Sequence, residues 1–470
     1  MTLPQGRGTR MKIVLWDTRR RDVSKDFAGG MGVGKYHGRG GLRGRVIRWM
    51  FTRDRRPVAL TYAYLAAIFR QLGHEVLYCE NHAPRGADLY VFNPSLITFD
   101  LELDAIRQVR LSSPHAAVLV VGPLSQALPN AFLDAGATVV RGEPERLLWE
   151  LDNVLEAPKA DMVDVGTVSD LDALPFPDWS LFGHRRFRIG YDFSRFPTAL
   201  IQQSRGCSYH CNYCPYILIE NRTRFRSPES VLDEMRRDVV DFGFQSFKFR
   251  DPLFGLDRSR VRELAAGIRR LPQPVQFSVE SRINLLPRET LVRLRAAGLT
   301  SVTVGIERPD AEVLRRHKRA PLRDDRQRQF ILTCRQLGVR TVAGFMIGFP
   351  DDTPDTIRSV LRYAKELNPT FANFNIVTPY PGTEFFEEIR DQIASFDFRR
   401  YNVYTPLLRY DHLTADELSD WHAKCFSRYY FRWEWFRAHA PVLWPSLVRL
   451  IRTFAPAVLA EPESRRTCGS

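Results

Sequence analysis

An α/β protein built from two successive parallel sheets is what this 470-residue sequence predicts. Three observations carry the prediction. Short apolar runs alternate with longer stretches of helical periodicity, first over residues 11–155 and again from 197 to 390. A stretch rich in Pro, Asp and aromatic residues, 156–196, separates the two series and reads as a linker. The last segment, 391–470, is basic and aromatic with helical spacing. The expected architecture is a doubly wound, Rossmann-like domain, a partial (β/α)6 barrel and a C-terminal helical segment.

In the first series, Lys12–Asp17 is a strand, residues 57–72 a helix stopped by Gly73, and residues 74–78 the next strand. Strands follow at 89–92, 117–121 and 138–140, with helices at 101–111 and 129–135. Ligands are expected at the C-terminal ends of these strands. Between the first strand and its helix lies a long glycine-rich insert, Gly29 to Gly41. It matches G-x4-G-K superficially, but Tyr36 stands where a magnesium-binding Ser or Thr belongs, and the loop starts too far after the strand. A P-loop is rejected, and either a loop covering a cofactor or substrate or a merely flexible one is expected instead.

The second series gives strands at 199–203, 246–249, 275–279, 301–305, 341–347 and 371–376, with helices between them. Ser227 before Pro228 is a good N-cap with proline at the first helical position. Six such units suit a partial barrel better than an eightfold one, with the active site at the C-terminal strand ends. In the tail, the aromatics at 429–436 read first as packing against the barrel; residues 447–452 and their neighbours also suit an amphipathic basic helix on a membrane surface.

Composition bounds the function. With 44% hydrophobic and 26% charged residues the chain is an ordinary globular one. Its net charge is +14, and residues 1–56 hold 15 Lys and Arg against 4 acids. That excess suits a solvated basic face, an anionic membrane surface or a phosphorylated ligand; no nucleic-acid-binding module accompanies it, so no specific nucleic acid is expected. Met1 to Arg10 is polar and basic, unlike a signal peptide, and no apolar run is long enough to span a bilayer. A cytoplasmic location is expected.

The chemistry concentrates in residues 206–215, where Cys207, Cys211 and Cys214 fall at C-x3-C-x2-C spacing after an apolar strand. A structural zinc site closes its shell with four ligands, commonly two C-x2-C pairs, so three cysteines on one loop suit it poorly. An iron-sulfur cubane takes one thiolate per iron, and three thiolates leave one iron open to another ligand. Cys79, Cys334, Cys425 and Cys468 are scattered, as in a reducing compartment.

With Tyr213 before its last cysteine, this loop resembles the signature of the radical S-adenosylmethionine (radical SAM) enzymes. The resemblance implies a 4Fe-4S cluster on Cys207, Cys211 and Cys214, S-adenosylmethionine on the open iron, and Tyr213 beside its adenine. Further segments are similar to that family in the same order. Residues 249–254 look like its F-x-D-D-x-F, with Pro252 for the second acid. Glu280 and Arg282 follow the third strand, where the family contacts ribose and carboxylate. Glu307 ends the fourth, with Arg308 in place of serine. Gly344, Ile347 and Gly348 lie on the G-x-I-x-G-x-P strand that backs the adenine, followed by Asp351-Asp352 where Gly-Glu is usual. Residues 378–383 match its closing P-Y-P-G-T turn.

In the first series, residues 56–76, 121–123 and 140–145 resemble the cobalamin-binding domain of one radical SAM subgroup, with Gly142 and Glu143 in a ligand-facing turn. There is no D-x-H-x-x-G, so no histidine would ligate the cobalt from below. The resemblance implies hydrogen abstraction from an unactivated carbon of a small-molecule substrate, lipid-like or a natural-product intermediate. It further implies methyl transfer from methylcobalamin, with a flavodoxin or ferredoxin supplying the electron. The alternatives are a cobalamin-independent radical SAM enzyme whose first domain binds substrate, and a non-catalytic iron-sulfur electron carrier or redox sensor.

Overall fold

The computed structural model describes all residues except 1–8, 21–22, 26–27, 35, 37–40, 52–56, 83–85, 190, 220, 323 and 441–470. Lys35 and most of the second half of the glycine-rich insert therefore lie outside the described residues, as do the basic stretch 447–452 and Cys468.

The first sheet has six parallel strands: β1 (Lys12–Asp17), β2 (Glu75–Glu80), β3 (Leu89–Phe92), β4 (Ala117–Val120), β5 (Thr138–Gly142) and β6 (Met162–Gly166). Their order is β2-β1-β3-β4-β5-β6. The winding direction reverses between β1 and β3, which opens a crevice at their C-terminal ends. Successive β1 residues feed opposite cores, Ile13 and Leu15 one, Val14 and Trp16 the other, so both faces must be covered. On one face lies the helix Leu60–Gln71, which ends as expected at Gly73: φ there is +89°, and the amide of Gly73 donates to Arg70 O while that of His74 donates to Phe69 O.

Two features of this half differ from the sequence reading. The linker expected from residue 156 begins with a strand, because β6 pairs with β5 and extends the sheet. The basic end of the insert forms a helix, Gly41–Phe51, that packs near the C-terminal helix.

The second sheet is open and runs in chain order: β7 (Thr198–Ile201), β8 (Ser246–Phe249), β9 (Gln276–Ser281), β10 (Leu299–Glu307), β11 (Arg340–Ile347) and β12 (Phe371–Ile376), all parallel. Helices on its outer side complete a six-unit partial barrel, and Ser227 caps the first of them through the amide of Ser230. The linker closes the barrel floor. Asp192, fully buried, holds Lys248 Nζ at 2.8 Å, and its carbonyl accepts from Thr300 Oγ1 and Arg340 Nη2 near the starts of β10 and β11.

After the barrel, the helix Ala415–Tyr430 covers β12. His422 Nε2 donates to Phe374 O at 2.9 Å, and Tyr430 Oη bonds both the amide and the carbonyl of Ala372. The packing role expected for this aromatic stretch holds for Tyr429, Tyr430 and Trp435, which are buried; Phe431, Trp433 and Phe436 are exposed. Among the described residues no helix is long and apolar enough to cross a membrane.

Candidate active site between the two sheets

The cysteine loop leaves the C-terminal end of β7 and is pinched at its base. Ser204–Arg205 pairs antiparallel with Arg224–Phe225, and Gly206 follows with φ +82°. A Cβ at Gly206 would lie 2.2 Å from Arg222 O, so only glycine fits. Below the loop, buried Asp251 accepts from Ser204 Oγ at 2.5 Å and from the Gln203 amide, and burial pushes its carboxyl up to about 7.

Cys207 and Cys211 are buried and Cys214 is half-buried. Burial pushes the Cys214 thiol up to about 12, and the neighbouring Cys211 and Cys207 add to the shift, so the three sulfurs lie within electrostatic reach of one another. Arg319 Nη1 stands 4.0 Å from Cys211 Sγ. Arg282 lies over the Tyr209 ring at 3.9 Å; its Nη2 donates to Ala320 O, while its Nε and Nη1 are buried without a protein partner. Buried thiols beside a guanidinium with unpaired N–H groups fit an anionic thiolate-bound cluster and a carboxylate-bearing ligand. Among the described residues no three His, Cys, Asp or Glu side chains converge on one metal position. A cubane, with one thiolate per iron, asks for no such convergence.

The strand ends bring most of the remaining predicted residues to the same rim. Tyr213 packs among Phe349 and Phe385, its hydroxyl buried without a partner. Glu280 pairs with Arg250 and lies 3.4 Å from Lys248 Nζ. Glu307, at φ +69°, pairs with Arg319 at 3.1 Å. At Gly344 an added Cβ would meet nothing nearer than 3.9 Å, so the barrel-facing side is open there. Gly348, at φ +81°, donates to Asp352 Oδ2 at 2.7 Å. Two departures from the resembled pattern compensate each other here, since Arg308 and Asp352 form a buried pair at 2.9 Å.

Two of the expected residues are placed differently from the rest. Ile347 is fully buried in the apolar core, on the face of β11 opposite Gly344 and Met346, so its side chain does not turn toward the barrel interior. Glu143 does not present a free carboxylate to a cofactor. Its oxygens accept from Arg224 Nη2 at 2.7 Å, Arg224 Nη1 at 2.9 Å and the Val168 amide at 2.7 Å, and Arg224 holds it below the usual carboxylate range against the opposing effect of burial. Glu145 makes a bidentate pair with Arg205, both contacts at 3.0 Å. Two carboxylates of the first domain thus grip the two arginines that bracket the cysteine loop. Gly142, at φ +104°, lets the turn approach Gly166, whose carbonyl would be 2.2 Å from a Cβ.

Sequence reasoning assigned no role to Arg205, Arg224, Arg250 and Arg319. Arg205, next to Gly206, and Arg250, inside the 249–254 motif, carried a local signal; Arg224 and Arg319 reach the site from separate elements.

A cavity open on one side lies where the two halves meet. Asn93, Gly122 and Glu143 line it from the first sheet, and Gly206, Pro215, Tyr216 and Arg250 from the barrel. Gly29 and Gly30 of the insert also line it, whereas Tyr36 stacks on Phe426 of the C-terminal helix. Lys25 reaches the same wall, held by Glu102 at 2.6 Å and Asp17 at 3.0 Å.

Residues 201–364 match the family model described as the radical SAM superfamily. The chain is 27% identical over 400 residues to the anaerobic magnesium-protoporphyrin IX monomethyl ester cyclase of Cereibacter sphaeroides, over 79% of this chain and 62% of that protein, less than two thirds of its length. It is 26% identical to the hopanoid C-3 methylase of Methylococcus capsulatus, over 73% of this chain and 71% of that one. The structure of TsrM, a radical S-adenosylmethionine methyltransferase from Kitasatospora setae with cobalamin and a [4Fe-4S] cluster bound, superposes with a TM-score of 0.58 at 18% identity, covering 83% of this chain and 79% of that one. At that identity the likeness is one of fold, and it extends over both sheets. The pinched cysteine loop and the six-stranded open barrel coincide with the stretch that matches the radical SAM superfamily, and the fold of the chain follows that of TsrM over both sheets.

Proposed function

We propose that the chain is a radical SAM C-methyltransferase. Cys207, Cys211 and Cys214 would hold a 4Fe-4S cluster, the residues of the barrel rim would hold S-adenosylmethionine, and the cavity wall on the first sheet would hold cobalamin. The observation that carries this reading is the cavity itself, which joins the crevice of a doubly wound domain to the rim that holds the cysteine loop. Together the bound groups supply a hydrogen-abstracting radical and a transferable methyl group.

The protein's part is to bind, orient and exclude water. Cys207, Cys211 and Cys214 release their protons on loading, and the cations of Arg282 and Arg319 offset the charge so gathered. The unpaired N–H groups of Arg282 are available to a carboxylate, and the Glu280–Arg250 pair and Glu307 offer acceptors for hydroxyls. The open side of Gly344 and the ring of Tyr213 leave a slot for a flat heterocycle, and Ile347 supports that slot from behind. The Glu143–Arg224 and Glu145–Arg205 pairs fix the distance between cavity wall and cysteine loop. The substrate is a small molecule, the electron comes from a flavodoxin or ferredoxin, and the reaction belongs to the reducing cytoplasm.

The test is anaerobic reconstitution with iron, sulfide and hydroxocobalamin, followed by metal analysis and assay of S-adenosylmethionine turnover. Cobalt near one per chain together with reductive cleavage is the expected result. A functional cluster without bound cobalt refutes the cobalamin assignment and leaves the first domain as a substrate platform.

A further inference from the structure

The helix Gly41–Phe51 has apolar residues on two opposite sides. Gly44 and Ile47 are buried against the fold, whereas Leu42 and Val46, one turn apart on the far side, are exposed, Leu42 at 69%. Arg43, Arg45 and Arg48 are exposed around that second stripe, and the helix carries no acid. A helix that spends one apolar side on its own protein needs no second one to fold.

This outer side does not stand alone. Arg43 lies over the ring of Phe431 at 5.4 Å, which joins the helix to the end of Ala415–Tyr430. Beyond it Trp433, 68% exposed, stacks on the exposed Phe436 with ring centroids 5.9 Å apart. Arg432, between Phe431 and Trp433, donates to Lys365 O and to Asn368 Oδ1, so neutral acceptors hold its guanidinium. Lys365 faces Arg432 and Arg428 and lines a groove with Arg358, Arg362 and Arg428. Of the acids nearby, Asp355 pairs with Arg358, Glu366 lines the groove and Glu434 faces Lys365. The surface is therefore a band of protruding aromatic and aliphatic side chains bordered by a cationic excess.

We infer that this band, Leu42 and Val46 with Phe431, Trp433 and Phe436, rests on an anionic lipid surface, with the surrounding Arg and Lys at headgroup level. The apolar side chains stand out from helices rather than lining a pocket, so they suit a soft, flat partner into which each can insert. Trp, Phe and Arg are the side chains that favour the boundary between headgroup and acyl chain. The inference goes beyond the reaction proposed above and stands whether or not cobalamin binds, because no residue of the band lines the cavity.

The test is flotation of the full-length chain with vesicles of phosphatidylcholine alone and of phosphatidylcholine mixed with phosphatidylglycerol. Binding is expected to the mixed vesicles and to fall as salt rises. The triple variant Leu42→Ser, Trp433→Ser, Phe436→Ser should bind them at least about tenfold more weakly while keeping its circular dichroism and its S-adenosylmethionine cleavage. Absence of flotation, or flotation that the triple variant leaves intact, overturns the assignment. So does a wild-type chain that ignores vesicles but captures an acidic ferredoxin through these residues, since the band is then a protein dock.

Discussion

Replacing Glu143 by glutamine separates two roles for one side chain. Glu143 is 5% exposed and Arg224 7%, and the pair makes two contacts below 3 Å while the Val168 amide takes the remaining capacity of Oε2. Glutamine keeps the shape and can still accept from Val168, but it leaves the Arg224 cation buried without its counter-charge. Removing one partner of a buried pair costs about 3–5 kcal/mol. The surviving hydrogen bonds put Glu143→Gln near the lower end, about 3 kcal/mol, or roughly 150-fold in the folding equilibrium. In the double variant Glu143→Gln/Arg224→Met the stranded cation is gone, and the loss should fall short of the sum of the singles by at least about 1 kcal/mol. Equilibrium urea unfolding of the cofactor-free chain measures all three. A Glu143→Gln variant that loses less than about 1 kcal/mol, yet binds cobalamin many-fold more weakly, would refute the clasp and restore Glu143 as a cofactor contact.

Other outcomes follow from the same geometry. Alanine at Cys207, Cys211 or Cys214 should abolish S-adenosylmethionine cleavage and cut bound iron sharply, while urea midpoints of the cofactor-free chain stay near wild type; iron analysis and cleavage assays check this. Gly206→Ala combines a left-handed backbone with a clash against Arg222 O and should cost about 3 kcal/mol, read by thermal unfolding, with slower cluster loading. Acid should loosen the C-terminal cover. Burial holds His422 and His439 down at about 4, each with Nε2 donating to a backbone carbonyl. Between pH 6.5 and 4 the unfolded chain takes up protons that the folded chain refuses, so stability falls as pH falls through that window, by about 2 kcal/mol per histidine at pH 5. A pH series of urea melts on His422→Gln should flatten that dependence by about one histidine's share.

How much of this was legible depended on how local the signal was. Strands such as Leu89–Phe92 are buried on both faces and read as unbroken apolar runs, so they were visible without partners. Met162–Gly166 was not, because β6 is an edge strand with Asp164 and an exposed Met162, and its polar sequence resembles linker. The cysteine loop announced itself by spacing alone. The clasp did not, since Glu143 meets Arg224 across 81 positions and nothing in the turn at 142–145 names that partner. The direction of the Ile347 side chain was hidden for a smaller reason. A motif marks a strand as ligand-facing, but pleating sends Gly344 and Ile347 to opposite sides of it.

Asp192 gives the linker a second consequence. A tether between two domains ordinarily lets them be cut apart, exchanged or swung on a hinge. Here the connecting segment supplies the nearer counter-charge of Lys248 and carbonyl acceptors for Thr300 and Arg340 inside the barrel, so pulling the linker away would leave the buried ammonium group with only Glu280, at 3.4 Å. The barrel expressed without its upstream linker should lack its own floor. The boundary for any truncation or chimera therefore lies before Trp179, itself fully buried and bonded to Asp238, and not at the first strand of the barrel. A substrate must then enter through the mouth of the cavity while the two sheets keep their spacing.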